Sequence, residues 1–222
     1  MKRQFLTTGD GSVTIYLPEW NEHYHSKHGA IQEALHVFIA QGLRHYQKTN
    51  NPSVIALLEI GFGTGLNALL SQQFAEGNNL QLNYTGVEAY PIAPEEVFQL
   101  NYAKLLNVPQ PMLHSLHTTP WEVPCQISSN FTLTKQQKNF LEIDGVALYD
   151  LVYFDAFGAR VQPELWTEKV FAKMFKALKP KGMLVTYAAK GSVRRAMQAV
   201  GFEVSRLPGP PGKREMLRSV KP

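Results

Sequence analysis

The stretch LLEIGFGTGLN, Leu57 to Asn67, decides how this chain folds. It continues an apolar run that starts at Val54 and ends in glycines spaced G-x-G-x-G, at Gly61, Gly63 and Gly65. Such a run predicts a buried strand over Val54–Ile60 that turns into a helix. Glycines at the turn let the backbone pass close to a ligand, and the helix N-terminus offers free amides. A dinucleotide fingerprint, G-x-G-x-x-G, would need a glycine where this chain has Leu66. About 20 residues on, where a ribose-binding acid is expected, NYTGVEAY closes the next apolar run with a lone acid, Glu88. The alternative is a glycine-rich turn that holds no ligand.

The 222 residues allow one substantial α/β domain and little beyond it. Hydrophobic residues make up 44% and charged residues 18%, which fits a globular chain rather than a disordered one. A single cysteine, Cys125, excludes an internal disulfide and agrees with a reducing compartment. The opening MKRQFLTTGDGS lacks the apolar core of a signal peptide, and no apolar run approaches membrane-spanning length. The expectation is a soluble cytoplasmic protein with no membrane partner.

The net charge of +4 hides an asymmetry. From Arg160 onward there are 14 Lys/Arg against 4 Asp/Glu, leaving +10; residues 1–159 hold 8 against 14, leaving −6. An acidic part joined to a basic part suggests one face built for a polyanion. The plainer alternative is a solvated, lysine-rich surface.

Residues 2–18 read as a hairpin, QFLTT and VTIYL around the turn GDGS. A polar loop with His23, His25 and His28 follows, then a helix from about Ala30 to Gln47 with Ile31, Ala34, Leu35, Phe38 and Ile39 on one stripe. Residues 1–50 are therefore expected to form an extension that covers the active-site edge, and residues 51–222 the α/β domain. From Pro52 the pattern alternates as βαβ units do. It predicts helix Gly65–Glu76, strand Gln81–Glu88, a helix from Pro94 to Leu106, and an irregular stretch 109–123 with one short helical piece. Strands Phe131–Lys135 and Asp150–Asp155, helix Pro163–Leu178 stopped by KPKG, strand Met183–Ala188 and helix Ser192–Val200 follow. The ending, GFEVSRL and REMLRSV joined by PGPPGK, leaves no room for a crossover helix and predicts an antiparallel hairpin. The seven strands would make a doubly wound sheet.

Asp155 closes the fourth central strand, in YFDAFGARVQPELW, and faces the same crevice as Gly61–Gly65 if ligands sit beyond the strand ends. An acid there can orient an attacking amine and take its proton; the alternative is a helix cap or loop tie. Phe157 suits ligand contact, and Trp166 suits packing. The three histidines lack further ligands at metal spacing, so no metal is expected. Lys190, Arg194 and Arg195 in AAKGSVRR and Lys213 and Arg214 in GPPGKREM should form a basic rim suited to phosphates.

Gly61-Phe62-Gly63-Thr64-Gly65 is similar to motif I of the S-adenosylmethionine (SAM) methyltransferases, and the terminal hairpin suits their class I fold. The strings GFGTGLN, FDAFGARVQPELWT, KGSVRRAMQAVGF and GKREM more specifically resemble the methyltransferase domain of the MnmC family. Upstream, YHSKHGAIQEALHVF matches that family's pattern through Tyr24, Ser26, Glu33, Val37 and Phe38. The resemblance runs from about residue 22 to the end. It implies a Rossmann-like fold and methylation of an aminomethyl uridine, with or without 2-thiolation, at the tRNA wobble position. SAM would be the cofactor and tRNA the partner.

By the same resemblance, Gly61, Gly63 and Gly65 hold the methionine end of SAM, Glu88 holds its ribose, and Asp155, the catalytic residue, stands near the transferred methyl and the acceptor amine. Glu59, Phe62, Thr64, Asn67, Ala89 and Phe157 complete the cofactor set. Tyr24, Ser26, Phe157, Lys190, Arg194, Lys213 and Arg214 border the tRNA site. Two positions depart from the family: Ala159 replaces a usual proline, and TKQQK lacks an adenine-binding acid, leaving Lys135, Gln136 or a backbone group to serve. The chain ends where the bifunctional enzymes continue into an FAD-dependent oxidase, and their flavin motif is absent, so the expectation is a stand-alone methyltransferase without flavin. A methyltransferase for a small amine or protein, and a non-catalytic SAM-binding module, are the competing readings.

Overall fold

The computed structural model, which describes residues 2–222, opens with a three-stranded antiparallel sheet. Its strands are β1 (Gln4–Thr7), β2 (Val13–Leu17) and β3 (Glu22–His23). Helix follows without interruption over 30–50. It starts as α-helix at Ala30–Ala34, widens to π-helix over Leu35–Arg44, and returns to α over His45–Asn50. Val37, Phe38, Ile39 and Leu43 are buried on its sheet-facing side. Gly42 lies so close to Tyr153 and Val185 that a Cβ there would come within 3.1 Å of each. Asn51, in the left-handed region at φ 45°, ends the helix by returning its N–H to Gln47 O.

The main sheet contains β4 (Val54–Ile60), β5 (Gln81–Glu88), β6 (Cys125–Ser128), β7 (Phe131–Gln137), β8 (Tyr149–Phe154), β9 (Leu178–Thr186), β10 (Glu203–Pro208) and β11 (Glu215–Val220). Their order is β10-β11-β9-β8-β4-β5-β7-β6. β7, β5, β4, β8 and β9 run parallel, and β11 lies antiparallel between β9 and β10, as expected for the terminal hairpin. The sheet has eight strands rather than seven because β6 adds an antiparallel edge to β7. Helix Leu66–Gly77 follows β4, and its buried side packs against β5 and the π-helical segment. The N-terminal residues Ile15, Leu17, Phe38 and Leu43 share one apolar cluster with Leu57, Leu82 and Tyr153 of the sheet.

Several predicted elements differ. The helix expected over 94–106 is two short pieces, Pro94–Val97 and Tyr102–Leu105. Between them Asn101 accepts from Val13 N at 2.9 Å and donates to Gly11 O at 2.9 Å, so the N-terminal hairpin captures the residue that would continue the turn. The expected helix 163–178 starts as a 3₁₀ turn, Pro163–Trp166, and is α-helical only over Glu168–Ala177. KPKG is not a linker before the next strand but a looped-out part of β9. Tyr149 pairs with Leu178 and Leu151 with Met183, and Lys181 takes φ 62° to make the detour. No helix among the described residues is long and apolar enough to cross a membrane.

Candidate active site

β4 delivers Gly61, Gly63 and Gly65 into left-handed conformations, φ 91°, 49° and 72°. The Gly61 and Phe62 amides both donate to Val87 O at 3.0 Å, which folds the loop back over the end of β5. A Cβ on Gly61 would sit 2.7 Å from Asp155 O, so backbone from two strands meets here with no space for a side chain. Glu88, at the end of β5, closes the ring: its carboxylate accepts from Gly63 N at 3.0 Å and Tyr90 N at 2.8 Å. Burial raises its pKa despite those two amides.

Beyond the ends of β4, β5 and β8 lies a cavity of about 350 Å³. Gly61, Phe62, Gly63, Thr64, Asn67, Glu88, Ala89, Asp155 and Phe157, all named from sequence, line it together. Gly65 stands one step back as the N-cap of helix Leu66–Gly77. Glu59 is buried behind the loop and meets the site through Asn67.

Lys135 and Gln136 are not among the lining residues, and β7 explains why. The strand runs to Gln137 instead of stopping at Lys135, and places Lys135 on a covered face. Its Nζ donates to His117 O at 2.6 Å and lies 4.7 Å above the Trp121 ring. Asn139, Phe140 and Leu141, just past the true end of the strand, line the cavity instead.

Asp155 is the charged centre of the site. Asn67 Nδ2 donates to Asp155 Oδ2 at 2.9 Å and to Glu59 Oε1 at 2.9 Å. Burial, aided by the charge of Glu33, pushes the Asp155 carboxyl up to about 7, against the opposing pull of Asn67 and Lys213. Burial also holds the Glu59 carboxyl well above the usual carboxylate range.

Aromatic residues wall the acid. The Phe157 ring meets Tyr24 edge-on at 5.0 Å and Trp20 at 5.6 Å. Trp166 is buried packing, as predicted, yet its Nε1 donates to Phe157 O at 2.8 Å and fixes that loop. Tyr187 donates to Ala156 O at 2.7 Å. Arg160, in the same loop, reaches Asn21 O at 2.8 Å and Glu22 at 3.0 Å, tying the loop to the N-terminal hairpin.

Tyr24, Ser26 and Lys213 of the predicted tRNA set line the cavity; Lys190, Arg194 and Arg214 do not. Lys190 and Arg214 are exposed and Arg194 is half-buried. Lys213 is engaged with Glu33 rather than open to a phosphate. The histidines take separate roles. His25 bridges Thr14 and Thr64, and burial lowers its pKa to about 4. His23 stacks on Tyr16, and the His28 ring lies against Gly212. Sequence reasoning gave no site role to Glu33, Trp20, Tyr187 or Asn139–Leu141, because long-range packing alone brings them to the strand ends.

The residues fit the cofactor implied by motif I. A glycine cradle meets a buried acid at a strand end, and Asn67, which lines the cavity, keeps its Oδ1 buried and unpartnered among the described residues. A family model described as S-adenosyl-L-methionine-dependent methyltransferase matches residues 104–222. The tRNA 5-methylaminomethyl-2-thiouridine biosynthesis bifunctional protein MnmC of Cupriavidus necator is 31% identical over 214 residues, covering 90% of this chain and 32% of that protein. Its counterpart in Aeromonas hydrophila is 27% identical over 221 residues, with coverages of 90% and 32%. The chain thus spans about a third of the length of these relatives. Among solved structures, MNMC2 from Aquifex aeolicus aligns over 100% of this chain and 72% of its own, with TM-score 0.77 and 26% identity.

Proposed function

Because the chain belongs to the S-adenosyl-L-methionine-dependent methyltransferase family, we propose that it methylates the aminomethyl nitrogen of a 5-aminomethyl uridine, thiolated or not, at the tRNA wobble position. The observation that carries this reading is Asp155: a buried carboxyl near pKa 7, at the glycine loop, inside a wall of aromatic rings. The MnmC relatives, named for tRNA 5-methylaminomethyl-2-thiouridine biosynthesis, and the likeness to MNMC2 support the same substrate.

When bound, SAM supplies a methyl group on a cationic sulfur, and the C–S electron pair leaves with sulfur as the amine lone pair forms the new N–C bond. The chain's contribution is position and a free lone pair. Glu88 would hold the ribose diol, and the left-handed glycines leave the loop backbone open to the methionine end. A primary alkylamine is mostly protonated near neutral pH and cannot attack until it gives up that proton. Ionised Asp155 accepts it, and Asn67 holds the carboxyl oxygen in place. Phe157, with Tyr24 and Trp20 against it, excludes water and offers a π-face to the ammonium.

The exposed cations Lys190, Arg195 and Arg214 would meet the tRNA backbone. The small-amine or protein reading and the non-catalytic reading predict no tRNA phenotype. Nucleoside analysis of tRNA from a strain lacking this gene tests the proposal: the unmethylated aminomethyl uridine accumulates if the proposal holds. An unchanged nucleoside profile sinks it.

A further inference from the structure

A second charged pair enters the same cavity and has no part in the proton transfer above. Lys213 reaches in from the β10–β11 loop, its Nζ in contact with Glu33 Oε1 and 3.9 Å above the Tyr187 ring. The Glu33 side chain is only 8% exposed, and its Oε2 accepts from Ser26 N at 2.7 Å. Glu33, Tyr187, Asp155 and Lys213 all line one cavity. Glu33 and Lys213 stand close enough to Asp155 to move its pKa in opposite directions.

A buried carboxylate needs a cation, and an aromatic face beside it strengthens the attraction for one. Lys213 fills that need with a primary alkylammonium, –CH2–NH3⁺. The acceptor proposed above, before deprotonation, carries the same group on its uracil ring. We propose that Glu33 and Tyr187 form the subsite that selects the acceptor's protonated aminomethyl group, and that Lys213 holds this subsite as a placeholder in the free protein.

This inference rests on the reading given under Proposed function. The incoming ammonium displaces Lys213, whose loop, PGPPGK, sits at the end of a hairpin with the exposed Arg214 beside it. The released lysine then faces the side from which a phosphate backbone arrives. The bound ammonium next gives its proton to Asp155, and the neutral nitrogen attacks. A uridine without the amine cannot displace Lys213, so the exchange rejects unmodified tRNA. Glu33 and Lys213 are specificity residues here, and Asp155 remains the catalytic base.

The test compares wild type, Glu33→Gln and Lys213→Met on two probes: tRNA carrying 5-aminomethyl uridine, and the same tRNA as a transcript with plain uridine. Glu33→Gln keeps an oxygen for Ser26 N–H but removes the charge. Its KM for the aminomethyl tRNA should rise roughly tenfold or more, the effect expected for a charged hydrogen-bond partner. Its SAM affinity should change little, and its preference for aminomethyl over plain tRNA should vanish. Lys213→Met removes the competitor, so the ratio of the two tRNA affinities should widen severalfold even if both weaken through lost charge. Should Glu33→Gln fail to fold by circular dichroism, the Lys213→Met ratio decides, and an unchanged or narrowed ratio overturns the subsite. Wild type that methylates the aminomethyl tRNA while Glu33→Gln keeps its KM and preference also overturns it, leaving the proposed function intact. Wild type that fails to methylate that tRNA removes both.

Discussion

Asn67 places one amide nitrogen 2.9 Å from Asp155 and 2.9 Å from Glu59, and so ties the ends of two adjacent parallel strands through a residue in the first turn of the next helix. One nitrogen can serve both acids because each needs only one of its two hydrogens. Two ionised carboxylates so placed would repel each other, and burial holds the Glu59 carboxyl well above the usual carboxylate range. Asp155 is left as the acid that titrates near neutral pH.

The methylation rate should therefore rise with pH through about 7, as Asp155 loses its proton and can accept one from the acceptor. Asp155→Asn should lower single-turnover methylation on the order of a hundredfold and abolish that limb of the profile. Rapid-quench kinetics across pH 5.5–8.5 checks both. A variant that turns over at the wild-type rate would make Asp155 a loop tie.

The same shift has a consequence for stability. The native carboxyl holds its proton up to about 7, whereas the unfolded one releases it near 3.8. The native state binds more protons between those values, so the stability contribution of Asp155 falls as pH rises through that window. Asp155→Asn should melt higher than wild type at pH 8, with the difference shrinking toward zero near pH 4. Thermal melts of the ligand-free protein measure this, and equal melting at pH 8 would contradict the buried, costly carboxylate.

Glu88→Ala should weaken SAM binding by about 1–3 kcal/mol, the loss of a charge-assisted contact to the ribose. Gly61→Ala should be more severe, since the new Cβ meets Asp155 O in a left-handed backbone. Calorimetric titration with SAM distinguishes them: measurable but weaker binding for the first, none detectable for the second. Unchanged affinity in Glu88→Ala removes that acid from the site.

Neutralising Lys190, Arg195 and Arg214 together should weaken tRNA binding and flatten its salt dependence, each lost phosphate contact lowering the logarithmic slope by about one. SAM binding should not change. A triple variant with wild-type slope would place the nucleic-acid surface elsewhere.

Much of this was legible in the sequence where local pattern and chemistry coincide. β4 and β5 run over the residues their apolar patterns predict, because β4 is stopped by the glycine loop after Ile60 and β5 closes on Glu88. The terminal hairpin was legible from PGPPGK, which cannot form a helix. Other features depend on partners distant in the chain. Asn101 breaks a helix because a hairpin 88 residues earlier captures its side chain. β7 outruns its apolar stretch because Gln136 and Gln137 pair with Val87 and Glu88, which turns Lys135 away from the cavity. Glu33 and Lys213 lie 180 positions apart and meet only once the sheet is built. The charge balance after Arg160 counts lysines and arginines, and it could not tell a solvent-facing Arg214 from a lysine turned inward beside it.

The most direct test of the central claim is methyl transfer by the purified protein, using isotopically labelled SAM and tRNA from cells that leave the wobble aminomethyl uridine unmethylated. Nucleoside mass spectrometry of the digested product then reads the outcome. The label should appear on the aminomethyl nitrogen, giving 5-methylaminomethyl uridine or its 2-thio form, and Asp155→Asn should suppress it. Label found at another nucleoside, or none in the tRNA while SAM binds normally, would contradict it.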